Sequence, residues 1–157
     1  MGWLVGPPYV VERMRALMTH VGAWAPKPEQ LATARLLARD DLLAAYAGPF
    51  NEALRARLDR LYQAVVAWKR EGLPVDAIPP QGAMYLSVRF DLEGRPGLPD
   101  EGAVRRFLLD AGCAIIPFSA FGDTHNRGWV RFSVGAVGLA EIDACLPRLH
   151  QALRRFA

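Results

Sequence analysis

Ala83-Met84-Tyr85-Leu86-Ser87-Val88-Arg89-Phe90 is the stretch on which the fold turns. Met84, Leu86, Val88 and Phe90 fall on one side of an extended chain and Ala83, Tyr85, Ser87 and Arg89 on the other. That two-residue period predicts a half-buried strand. Upstream the period is different. From Leu42 to about Gly72 the apolar positions Leu43, Tyr46, Phe50, Leu54, Leu58, Leu61, Val65 and Trp68 keep helical spacing, which predicts one long amphipathic helix, kinked near its start by Gly48-Pro49. The change of period falls on the turn Ile78-Pro79-Pro80-Gln81-Gly82.

Downstream, Leu92 to Pro99 is rich in Gly and Pro and reads as a loop, after which Asp100 caps a helix with a buried stripe of Val104, Phe107, Leu108 and Ala111, closed by Gly112. Cys113 to Pro117 is predicted as a second strand. Trp129 to Val134 is a third, with Val130, Phe132 and Val134 on one face and Trp129, Arg131 and Ser133 on the other. A last helix carries Ile142, Leu146, Leu149 and Leu153, with Pro147 inside it. Strand, helix, strand, strand, helix is the signature of a small α+β layer. At the other end, residues 1–6 are apolar and run into Gly6-Pro7-Pro8. They read as the tail of a buried strand leading to a helix over Tyr9 to Val21, stopped by Gly22, and a further helix is expected from Glu29 to Ala38. One strand without a partner behaves like a piece of a larger sheet. The domains implied are 1–38, a bridging helix over 39–72, and 73–157.

The composition narrows the function classes. A chain of 157 residues, 52% hydrophobic and 22% charged, has what a globular core requires, which excludes disorder and collagen-like repeats. Glu12 and Arg13, and later Lys69 and Arg70, interrupt the apolar runs before they reach the ~20 residues of a membrane span. The start of the chain lacks the basic residues and small-residue cleavage site of a signal peptide, so the expected location is cytoplasmic. The net charge is +3, but the 19 basic residues are interleaved with 16 acids and form no block. Neither nucleic acid nor membrane is expected as a partner. Cys113 and Cys145 have no CxxC partners and read as reduced thiols, with no disulfide framework and no metal site.

No self-contained catalytic signature is present: there is no phosphate loop, no HExxH and no GxSxG. His20 and His150 lie in helices. His125 lies in the polar loop Gly122 to Gly128, whose simplest reading is solvation. Arg131 stands out as a guanidinium inside the apolar strand Trp129-Val130-Arg131-Phe132-Ser133. Burying it costs desolvation unless an anion meets it, and a carboxylate suits its fork. The alternative is an edge strand with Arg131 facing water. Arg89 shares that ambiguity, and pattern alone leaves both open.

Met1-Gly2-Trp3-Leu4-Val5-Gly6-Pro7, Pro80-Gln81-Gly82-Ala83-Met84-Tyr85-Leu86, Ile116-Pro117-Phe118-Ser119-Ala120-Phe121-Gly122 and Trp129-Val130-Arg131-Phe132-Ser133 together resemble the class I/II, fold-type I pyridoxal-phosphate aminotransferases, the group similar to aspartate aminotransferase. The resemblance spans essentially the whole chain. It implies a mixed α/β and α+β fold: a remnant of the large cofactor domain over 1–38, the bridging helix, and the small C-terminal domain over 73–157. It assigns Arg131 to the clamp on the substrate α-carboxylate and places Gln81 to Tyr85, with Gly82 and Tyr85, at the substrate entrance. Ser119 to Gly122 falls on the loop just ahead of the clamp strand. Ala23 to Gln30 matches a segment that approaches the cofactor of the neighbouring subunit, which makes Trp24 and Lys27 candidates there. Phe118 stands where many relatives have glycine, and Trp24-Ala25-Pro26 is less polar than the common form.

The resemblance also implies pyridoxal phosphate, amino-acid and 2-oxo-acid substrates, and a homodimer in the complete enzyme. The Schiff-base lysine and a phosphate-binding arginine of the family fall just before the segment matching Met1-Gly2-Trp3. Of the two lysines, neither Lys27 nor Lys69 matches that position. The chain alone is therefore expected to hold no cofactor, to carry no catalytic residue and to need an N-terminal portion. Other readings are a non-enzymatic carboxylate-binding remnant, or another fold-type I activity such as an acyltransferase or lyase.

Overall fold

Strand alternation and helical periodicity both produce the elements they predict, and the differences lie where pairing partners decide. The computed structural model describes residues 1–22 and 24–157. They divide into two units, Met1–Pro49 and Phe50–Ala157.

The first unit holds α1 (Pro8–Val21), α2 (Lys27–Leu37) and the start of α3 (Asp40–Arg70). Pro8 opens α1, where its missing N–H is not needed. Gly22 ends it in the left-handed region at φ 72°, its N–H donating to the Met18 carbonyl at 2.9 Å. α2 begins two residues before the expected Glu29, because Pro28 fits the first turn rather than breaking it. The strand expected over residues 1–6 is not formed: these residues are exposed and carry no ladder. Apolar character gave that expectation, but a strand also needs a neighbour to take its N–H and C=O groups, and the four-stranded sheet belongs wholly to the second unit. No described residue of the first unit is buried, and Trp3, Val5, Leu17, Val21 and Trp24 are more than half exposed.

In the second unit β1 (Val75–Ala77), β2 (Tyr85–Phe90), β3 (Ile116–Pro117) and β4 (Trp129–Ser133) form one antiparallel sheet in the order β1-β2-β4-β3. Leu86, Val88 and Phe90 of β2 and Val130 and Phe132 of β4 are buried, as their alternation requires. Their core also takes Leu54, Leu58, Leu61, Val65 and Trp68 from α3, Val104 and Leu108 from α4 (Glu101–Asp110), and Ile142, Leu146, Leu149 and Leu153 from α5 (Leu139–Leu153). β1, absent from the sequence reading, pairs Val75 with Phe90.

The strand expected over Cys113 to Pro117 shrinks to Ile116–Pro117. The Cys113 N–H donates at 2.8 Å to the Leu108 carbonyl at the end of α4, and Pro117 has no N–H to offer. Asp100 caps α4 as expected, accepting from the Ala103 N–H at 2.8 Å. Asp100→Ala is expected to lower stability by about 1 kcal/mol, and Asp100→Ser to restore most of it, as read by urea denaturation.

Candidate functional site

The register of β2 on β4 pairs Tyr85 with Ser133 and Ser87 with Arg131, so Tyr85 and Arg131 lie on one face as diagonal neighbours. That is the face opposite the core. The Arg131 Cζ sits 4.6 Å from the centre of the Tyr85 ring and 4.1 Å from that of Phe121. Cation–π contacts of this kind hold a guanidinium for about 0.5–1 kcal/mol each at partly exposed positions. They engage the ring faces and use none of the five N–H donors.

Phe121 ends the 3₁₀ turn Phe118–Phe121. Gly122 follows at φ 85°, a conformation that favours glycine, and turns its N–H back to the Ser119 carbonyl. Ser119 Oγ donates to Glu101 Oε1 at 2.7 Å, which ties the turn to α4, and the Phe118 and Trp129 rings meet at 6.3 Å. The loop containing Phe121 is thus held from both sides. The sequence reading marked this loop but not Phe121 itself; the signal was an aromatic residue placed directly before a glycine ahead of β4.

Arg131 differs from five other arginines of the unit, each of which has a partner in the fold. Arg60 pairs with Asp143, Arg89 with Asp91 and Arg127 with Glu93, while Arg57 and Arg95 donate to backbone carbonyls. Among the described residues no carboxylate pairs with Arg131. Arg89, the other ambiguous arginine, is therefore accounted for by a surface ion pair, and Arg131 is left with its donors available for an external anion.

Gly82 lies apart from this pair. With Pro80, Gln81 and Ala83 it lines a cavity of about 420 Å³ against Asn51, Arg55 and Asp59 of α3. Ala83 takes φ 60°, the left-handed region that costs a residue with a Cβ about 1 kcal/mol. The segment is thus strained shortly before Tyr85, and the Val134 N–H donating to the Met84 carbonyl at 3.0 Å pins it to the end of β4. His125 takes no part. Its backbone N–H, like that of Asn126, donates to Asp123 Oδ1 at 3.1 Å; the Asn126 side-chain amide donating to Asp123 Oδ2 at 2.7 Å, foremost, and these backbone bonds hold the Asp123 carboxyl below its usual range. Behind the loop Gly128 takes φ 79°, and a Cβ there would lie 2.6 Å from the Phe90 carbonyl oxygen. Gly128→Ala is expected to cost about 2 kcal/mol or more and to loosen the start of β4, seen as faster amide exchange at Phe90 than at Val88.

Trp24 and Lys27 are exposed in the first unit, Lys27 opening α2; Ala23 lies outside the described residues. Lys69 is paired with Asp76 at 2.7 Å on the surface. The pair holds the Asp76 carboxyl below its ordinary value, so it is complete above the usual carboxylate range and is lost as the pH falls through the lowered one.

No protein-family profile matches the chain. The aspartate/prephenate aminotransferase of Thermus thermophilus is 30% identical over 124 residues, covering 77% of this chain and 30% of its own length. Human kynurenine–oxoglutarate transaminase 1 is 23% identical, covering 99% of this chain and 38% of its own. In three dimensions a mutant T. thermophilus aspartate aminotransferase superposes with a TM-score of 0.70 at 28% identity, over 94% of this chain and 37% of that one. In sequence and fold the chain matches the C-terminal region of the fold-type I pyridoxal-phosphate aminotransferases. It spans about a third of the length of the aminotransferases it matches.

Pyridoxal phosphate, the cofactor of that family, needs an enclosed lysine for its imine. Lys27 is exposed and Lys69 is ion-paired on the surface, so the residues described here do not by themselves fit that group. The likeness is thus to the C-terminal region of the aminotransferase fold, and neither described lysine is placed to hold the cofactor.

Proposed function

We propose that the chain is the substrate-closing portion of a pyridoxal-phosphate aminotransferase that moves an amino group between an amino acid and a 2-oxo acid, with Arg131 taking the substrate α-carboxylate. The observation that carries this reading is the Arg131 guanidinium, flanked by Tyr85 and Phe121 and matched with no carboxylate of the described residues. Residues 1–38 act as part of the cofactor domain, 39–72 as the bridge and 73–157 as the small domain. The exposed apolar side chains of the first unit support that assignment, because their burial requires polypeptide that this unit does not contain. Gly82 and Tyr85 border the substrate entrance. Trp24 and Lys27 face the cofactor of a neighbouring subunit in a cytoplasmic homodimer.

The cofactor lysine belongs to an N-terminal portion, and the chain alone is inactive. The test is to read the DNA directly upstream of the Met1 codon for a frame encoding a lysine and then an arginine, and to express the longer product. Amino transfer by the longer polypeptide and none by the chain alone is the expected result. Amino transfer by the chain alone overturns the division of labour.

The same unpaired guanidinium supports a second reading, a carboxylate-binding remnant. That reading requires a melting temperature that rises with amino or 2-oxo acids in the absence of cofactor and stops rising in Arg131→Ala. A stop-closed frame upstream together with that response would select it.

A further inference from the structure

Cys113 and Cys145, 32 residues apart, place their sulfurs 2.9 Å from each other as free thiols. Cys113 follows the end of α4, where Gly112 turns the chain at φ 89° and the Cys113 N–H closes back on Leu108. Cys145 lies on the middle of α5, its thiol 3.6 Å from the Gly112 carbonyl. Two separate elements therefore converge on a sulfur–sulfur contact, and less than an ångström of approach separates that contact from a bond of about 2.05 Å. We propose that Cys113 and Cys145 form a reversible, oxidant-made cross-link that staples the corner after α4 to α5 and closes a covalent ring around the segment carrying Phe121 and Arg131.

The two sulfurs are not equivalent. Cys113 is only 4% exposed, and burial, with the neighbouring Cys145 adding to it, pushes its thiol well above the usual range despite the opposing Arg148. Cys145 is half-buried. Both border an apolar cavity of about 560 Å³ that is also lined by Phe132, Val134, Val137 and Arg148, and this gives a small oxidant a route to the pair. With a hydroperoxide as oxidant, the Cys145 thiolate attacks the terminal oxygen and the O–O bond breaks. The peroxide is reduced, and Cys145 becomes a sulfenic acid. The Cys113 sulfur then attacks the Cys145 sulfur, the S–O bond breaks, and hydroxide leaves with the Cys113 proton as water. Two thiols have together lost two electrons to one peroxide. A dithiol reductant reverses the bond by exchange.

The ring so closed contains the 3₁₀ turn and β4. Its formation removes freedom mainly from the unfolded chain, so the oxidised protein is expected to melt about 10 °C above the reduced one. The experiment treats the whole chain with near-stoichiometric hydrogen peroxide and maps its peptides by mass spectrometry. Expected are one cross-linked peptide pair containing Cys113 and Cys145, loss of both free thiols without dimers on a non-reducing gel, the rise in melting temperature, and return of both thiols with dithiothreitol. A sulfinic acid on Cys145 beside an intact Cys113 thiol, or a bond between chains, overturns the proposal. Cys113→Ser, which removes the resolving sulfur, is expected to leave a sulfenic acid on Cys145 that dimedone captures. The peptide map of the unaltered chain decides the matter even where that variant folds poorly.

Discussion

Arg131→Ala, introduced into the longer polypeptide of the proposed aminotransferase, is expected to lower kcat/KM for carboxylate substrates by about 10²- to 10³-fold, the equivalent of about 3–4 kcal/mol. The size follows from the surroundings. Tyr85 and Phe121 cover Arg131 with ring faces and offer it no compensating charge, so the guanidinium meets an anion with its donors unsatisfied and partly desolvated. Alanine removes both the charge and the planar fork. Arg131→Lys keeps the charge and loses the bidentate geometry and the stacking, so it is expected to recover no more than about one of the lost orders of magnitude. Phe121→Leu keeps the charge and the fork but removes one flank. It is expected to raise KM several-fold with kcat little changed, since a looser guanidinium weakens the bound substrate and the transition state alike. Equal kcat/KM for the alanine variant and the parent would falsify the clamp assignment.

This trio also shows how far the sequence carries the site. Arg131 stands out in a one-dimensional reading because a charge interrupts the apolar alternation of Trp129 to Ser133, and Tyr85 falls on the polar face of its own strand by the same counting. Their adjacency is a property of register. Tyr85 opposite Ser133 places it diagonally to Arg131, whereas a one-residue slip of β2 would have turned it into the core. Phe121 reaches the guanidinium from a turn, through the Gly122 conformation and the Ser119–Glu101 hydrogen bond, neither of which has a periodic signal. The resemblance to aminotransferases adds an expectation that pattern does not carry, a clamp at Arg131 with the segment from Ser119 on the loop ahead of it.

The fold divides along the same line. Helical and strand periods report which side of an element is buried, so α3, α4, α5, β2 and β4 are legible with their buried faces. Pairing is not periodic. β1 is three residues beside Phe90, too short to establish an alternation, and becomes a strand only because β2 offers it an edge. Residues 1–6 have the apolar content of a strand and no edge to join. Cys113 has a neighbouring sheet, but its N–H is already bonded to α4. The thiol pair is a tertiary accident of the same kind, since nothing in a spacing of 32 residues announces a contact.

Phe90→Ala is expected to destabilise the chain by about 3–5 kcal/mol and to lower its melting temperature by about 15 °C or more. Phe90 is 1% exposed, sits 6.0 Å from the Phe132 ring, and is anchored by backbone bonds to neighbours on both sides, since β1 pairs with it and its N–H reaches the Gly128 carbonyl. The sheet therefore has little freedom to collapse onto the space an alanine leaves, which places the cost toward the upper end of large-to-small substitutions. Phe90→Leu refills most of that volume and is expected to cost about 1–1.5 kcal/mol. The contrast with the first unit makes the test specific. Met14 is 38% exposed on α1, where no residue is buried, and Met14→Ala is expected to change stability by less than about 0.5 kcal/mol. The cooperative transition accordingly belongs to residues 50–157, and the three variants should shift the urea midpoint in the order alanine at 90, leucine at 90, alanine at 14 with a common m-value. A Met14→Ala effect as large as that of Phe90→Ala would mean that the exposed helices of the first unit fold as part of the same core.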